Sequence, residues 1–197
     1  ECWENPPEIR LGAAAQPTLS NAPTFVGDRR IDGSDAGGRA APEPKAIVML
    51  GYDERFLYIA ASVPRNPTRL APEVQLAGRE RDAELVSHDR LRFTFDVDRD
   101  YATYYRLEVD ERGAVRDALW EDERWNPRWY VAAEGARDTW RIEAAIPWDE
   151  LGPNPPTRGT VWAGGITRII PAVGLQGWTE PAEITVRPET FGMILFD

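Results

Sequence analysis

An all-β fold, an antiparallel β-sandwich with long loops and little helix, is the class this sequence predicts, and three observations predict it. Residues 89–96 and 104–110 alternate apolar and polar side chains with period two. Leu91, Phe93 and Phe95 stand against Arg92 and Thr94, and Tyr105, Leu107 and Val109 against Arg106 and Glu108. Similar strand-length segments recur along the rest of the chain beyond residue 45. Seventeen Pro and 16 Gly punctuate the 197 residues so often that long helices have little room.

Taken in order, residues 1–44 are rich in Pro, Ala, Gly and Asp and read as an arm that Trp3, Ile9, Leu11 and Phe25 would pin to the domain. The domain proper runs from 45 to 197, and the chain is long enough for one core. Residues 46–50, a turn at 52–55 and residues 56–63 make a hairpin, and apolar character on both faces predicts central strands for both. Pro64, Pro67 and Pro72 mark 64–88 as an excursion. Beyond the two opening strands, 114–119, 128–133 and 139–146 predict further strands, with a helical turn at 147–151. A Pro-rich loop at 153–160 and strands at 161–170 and 191–196 follow. Trp140 and Trp162 fall in phase with apolar neighbours and read as core, as does Trp148, and Met49 and Met193 read the same way.

Charge and composition narrow the function. Asp and Glu outnumber Lys and Arg 33 to 23, a net charge of −10, so the counterion release that drives nucleic-acid binding is lacking and no such partner is predicted. No apolar run approaches the roughly 18 residues of a membrane span, and no apolar leader is seen. The expectation is a soluble chain, and its start at Glu1 suggests a trimmed precursor or a fragment. Cys2 is the single cysteine, read as a free thiol, which rules out an internal disulfide and cysteine-based metal motifs. His88 is the single histidine, so multi-histidine centres are excluded. There is no nucleophile elbow, phosphate-cradling glycine loop or His-Glu-x-x-His, and the expectation is a protein without catalytic activity.

The segments 52–59, 89–96, 140–147 and 191–196, in that order, resemble the family 9-like carbohydrate-binding domains, relatives of the DOMON sandwiches. The resemblance spans about residues 45–197. It implies a β-sandwich that binds an oligo- or polysaccharide, often with structural calcium, on a secreted or periplasmic protein and commonly attached to a parent-chain enzyme. In characterised members two tryptophans sandwich the sugar, and the matching positions here are Val86 and Thr185. A sugar site in this chain therefore draws on other aromatics.

Trp120, Trp125 and Trp178 are the candidates, since indole stacks on the CH-rich face of a pyranose. The competing role is capping of the sandwich edge. Arg92, Arg106, Glu108 and Arg168, with Asp89 and Arg90, alternate with apolar residues and are assigned to one sheet face. There they either orient sugar hydroxyls or form a salt-bridge ladder. Asp96, Asp98 and Asp100 lack the Gly and Glu of an EF-hand loop, and are either calcium ligands or a solvated turn. Two rival functions remain open: a protein-interaction or self-assembly module, and a haem-b electron-transfer domain with Met49, Met193 or His88 as axial ligands.

Overall fold

A computed structural model describes residues 45–65, 82–179 and 182–196. The arm at 1–44, with Trp3, Ile9, Leu11 and Phe25, and most of the excursion at 64–88 lie outside the described residues. The strands are β1 (Ile47–Tyr52), β2 (Phe56–Pro64), β3 (Arg90–Asp96), β4 (Tyr105–Asp110), β5 (Val115–Leu119), β6 (Tyr130–Gly135), β7 (Thr139–Pro147), β8 (Val161–Ile170), β9 (Gly174–Trp178) and β10 (Gly192–Leu195). A four-stranded sheet has the order β1-β2-β7-β6, and a six-stranded sheet the order β10-β8-β3-β4-β5. All of the pairings are antiparallel, and β9 shares one edge of β8 with β10. Residues 161–164 of β8 pair with β10, and residues 166–170 pair with β9.

The period-two pattern explains the layers. In β3, Leu91, Phe93 and Phe95 point between the sheets and meet Leu57, Ile59, Val63, Ile142 and Ile146 from the other side, all at most 2 % exposed. Burying such a side chain contributes roughly 1.5–3 kcal/mol, so this interior dominates the stability. Trp129, Trp140, Trp148 and Trp162 are also buried there, with Trp162 against Phe196 at 4.7 Å and against Trp148 at 5.9 Å. The predicted turn after β7 is a 3₁₀ turn at Trp148–Glu150.

Three expectations are corrected. β1 is an edge strand, not a central one: its apolar outer residues Ile47 and Met49 are exposed. Met49 and Met193 are not core. Each lies on the outward side of an edge strand, at 40 % and 53 % exposure. β9 is an additional strand, in a Gly-rich segment with little β propensity. No helix among the described residues is long and apolar enough to cross a membrane.

Candidate functional site

The outer face of the six-stranded sheet carries an unusual set of polar side chains. Register pairs Arg92 with Glu108 and Thr94 with Arg106, so these four residues share that face with Arg90. Glu108 accepts hydrogen bonds from Arg90 Nε at 3.1 Å and Arg92 Nε at 2.7 Å. Burial pushes the Glu108 carboxyl up, but the charge and hydrogen bond of Arg92, then the charge of Arg90, outweigh it and hold the group below the usual carboxylate range. Arg90, Arg92 and Glu108 are all buried, and what covers them is local chain. Arg90 Nη1 donates to the carbonyls of Leu85 and Val86, and Arg92 Nη1 to that of Ile184. Val86 thus adjoins Arg90 and Thr185 follows the residue that adjoins Arg92, and both are exposed.

The cover from residues 182–191 is tight. Phe191 meets Tyr104 edge-on at 5.7 Å, and Thr94 Oγ1 donates to the Gly165 carbonyl below it. The pocket left among Arg92, Thr94, Thr167, Thr185, Thr190 and Phe191 holds about 30 Å³ of space. That admits a water or a single hydroxyl group, not a sugar ring. Arg106, Arg116 and Glu123 stand together along the β4–β5 edge of this face, and Trp120 follows directly on β5. Arg116 Nη2 binds Glu123 Oε1, and Arg106 Nη2 lies 3.6 Å from the same oxygen.

Trp120 sits in a tight turn closed by hydrogen bonds of Leu119 N to Asp122 O and of Asp122 N to Leu119 O. Its amide donates to the Tyr104 carbonyl at 2.7 Å. Its φ is +55°, a conformation that costs a bulky residue on the order of 1 kcal/mol, and its indole is 51 % exposed. Tyr101, in the Asp96–Asp100 loop, is the other exposed aromatic at positive φ among the described residues.

The remaining candidates are placed elsewhere. Trp125 is half-buried and packs on Tyr105 at 5.1 Å, at the β5 edge. Trp178 is half-buried at the β9 edge, paired with Ile166 and packed over Gly192. Four strand spacings, roughly 19 Å, separate the two edges, so Trp178 cannot stack on the same sugar as Trp120. The face assigned to Arg168 and Asp89 is corrected. Arg168 pairs with Leu91 and points inward, fully buried, with Nε and Nη2 on the two oxygens of Asp89 and Nη2 also on the Pro64 carbonyl. It is a latch between the sheets and touches no solvent-borne ligand. Its partly buried partner lies 79 residues away, which no local pattern reveals.

Asp96, Asp98 and Asp100 do converge, with one carboxylate oxygen of each within 4.8 Å of the others. Asp96 is fully buried. Burial, the hydrogen bond with Asp98 and the charge of Asp100 hold its carboxyl above the usual range, against the amides of Arg99 and Tyr101 that it accepts. An all-oxygen donor set suits a hard cation, although three carboxylates supply only part of the 6–8 ligands calcium takes. Met193 pairs with Ala163, and Ala163 with Asp96, whereas His88 lies just before β3. Six residues of strand, roughly 20 Å, therefore separate them, and Met49 is on the other sheet. Met193 and His88 therefore cannot ligate one iron.

No family model matches the sequence, and no curated protein matches it significantly. Solved structures do match. A family 9 carbohydrate-binding module from Caldicellulosiruptor kristjanssonii in complex with cellotriose is similar at a TM-score of 0.55 and 18% identity, over 80% of this chain and 77% of that one. The same module in complex with glucose gives 0.56 and 17%, over 81% and 80%. The fold is that of a family 9-like carbohydrate-binding module. In this CBM9-like sandwich Val86 and Thr185 are both exposed, and so is Trp120 at the end of β5. Sequence reasoning missed Tyr104, Phe191, Arg116 and Glu123 as parts of the polar outer face. Only Tyr104, alternating in phase with Arg106, left a signal there.

Proposed function

We propose that this chain is a non-catalytic carbohydrate-binding module of a secreted or periplasmic protein. It takes a neutral oligosaccharide of the cellotriose kind against Trp120 at the rim of the six-stranded sheet. The observation that carries the reading is Trp120, strained at φ +55° yet half-exposed, directly after the β5 strand whose Arg116 pairs with Glu123. Indole stacks on the sugar face, and guanidinium and carboxylate groups bond its hydroxyls. Trp125 backs the turn through Tyr105. Arg92 and Glu108 act from beneath, keeping the covering chain in place. One stacked ring contributes on the order of 1 kcal/mol beyond its area, which implies micromolar to millimolar affinity. Isothermal titration with cellotriose and a panel of soluble glycans tests this. Trp120→Ala should weaken binding roughly fivefold or more, and unchanged binding in that variant removes Trp120 from the site.

The reading extends to calcium at Asp96, Asp98 and Asp100, supported by their convergence and by the repulsion among them. Millimolar Ca²⁺ should raise the melting temperature of EDTA-treated protein, and an Asp98→Asn variant should lose that response. Equal melting curves with Ca²⁺ and with EDTA would exclude the ion.

A further inference from the structure

A wide cleft lies on the other sheet, away from the site residues described above. Register sets Tyr130 of β6 opposite Ala145 and Phe56 of β2 opposite Pro147, both on β7. Short side chains on the middle strand leave two rings standing above it, 6.2 Å apart and edge-on. Pro153 and Pro155 also line this hollow, which is open to solvent and spans about 450 Å³. That is the scale of small-ligand sites and many times the pocket on the six-stranded face.

The charged lining is balanced, with Glu54 and Asp149 against Arg55 and Arg128. Arg55 covers Phe56 at 5.1 Å, leaving Tyr130 as the ring nearer to a guest. Arg128 is held by Asp149 at 2.8 Å and by Glu150 at 2.7 Å, although its side chain is 69 % exposed. Exposed ion pairs of this kind exchange partners at little cost, so a vicinal diol can bridge Arg128 and Asp149. With Glu150 on Arg128, Glu54, Asp149 and Glu150 stand against Arg55 and Arg128, so an anion finds no net positive charge here. A neutral polyhydroxylated ring meets an aromatic wall and a donor–acceptor pair.

We infer that this cleft is a second, independent glycan-binding site, on the face opposite the Trp120 rim. It rests on the carbohydrate reading above and adds a second point of attachment, which would let the chain bridge two segments of polysaccharide.

Titration of the ¹⁵N-labelled full chain with cellotriose, xylotriose, mannotriose and decaproline, followed by amide shifts, tests it. At least one sugar should shift the amides of residues 128–130 and 148–152 along its own saturation curve. That curve should survive Trp120→Ala and weaken roughly fivefold in Tyr130→Ala and in Arg128→Gln. Arg128→Gln alters an exposed side chain and so guards against a folding defect in the tyrosine variant. Sugar-induced shifts confined to residues 104–106 and 119–123 would overturn the second site and leave the carbohydrate reading standing. Silence with every sugar would overturn both. Cleft shifts with decaproline alone would make it a peptide groove and overturn the inference.

Discussion

At the scale of single residues, Glu108 joins stability to the candidate site. Its carboxylate is buried between Arg90 and Arg92, and its folded-state pKa lies below the 4.5 of an unperturbed glutamate. A depressed carboxyl contributes stability that is fully present above the unfolded value and is lost as pH falls through the folded one. Glu108→Gln leaves two buried guanidinium groups without a counter-charge and should cost about 3 kcal/mol at neutral pH. Its stability should converge with that of the wild type once acid has protonated Glu108. Urea midpoints across that range measure this, and a constant gap at all pH values would mean that packing, not charge, is lost. Trp120 obeys the opposite logic. Glycine adopts φ +55° without steric cost, so Trp120→Gly should keep or gain stability, by on the order of 1 kcal/mol, while weakening glycan binding. A large loss of stability in that variant would show that the indole holds the turn instead of serving a ligand.

At the scale of elements, β8 decides how closely the sheet packs. Gly164 lies opposite Phe95, and a Cβ there would come within 2.5 Å of the Thr94 carbonyl oxygen and 3.1 Å of the Ile194 side chain. Gly164→Ala must push backbone apart and should destabilise the protein by about 1–3 kcal/mol, read as an earlier urea midpoint; a neutral outcome would mean that β3 and β8 can separate freely. Strands such as β3, β4 and β7 were legible from the sequence because alternation encodes a buried side within each strand. What alternation does not encode is which neighbour supplies the other side. Hence period alone puts Arg168 on one face with Arg92 and Arg106, and makes β1 central because Ile47 and Met49 give it apolar residues on both sides. β9 stayed hidden because Gly174 and Gly177 carry no side chain to alternate. The site divided the same way. Arg92, Arg106 and Glu108 were found as one face by period, whereas the separation of Trp120 from Trp178 depends on strand order, which emerges only from long-range pairing.

At the scale of the whole molecule, charge selects among ligands that share the same sugar chemistry. The chain carries a net charge of −10, so its mean field repels polyanions and leaves neutral polymers unaffected. Both proposed sites have guanidinium groups, but each is matched by carboxylates: Arg106 and Arg116 by Glu123 and, next to Trp120, Glu121, and Arg55 and Arg128 by Glu54, Asp149 and Glu150. Neither site therefore offers a net positive patch to offset the global repulsion. Retardation in native gels cast with neutral glucan should be nearly independent of salt, because no counterions are released on binding. Gels cast with a uronic-acid or sulfated polysaccharide should show no retardation at low salt, where repulsion is least screened. Strong low-salt retardation by the acidic polymer, abolished by added salt, would mean that local arginine charge outweighs the acidic surface, and the neutral-glycan assignment would then be wrong for both faces.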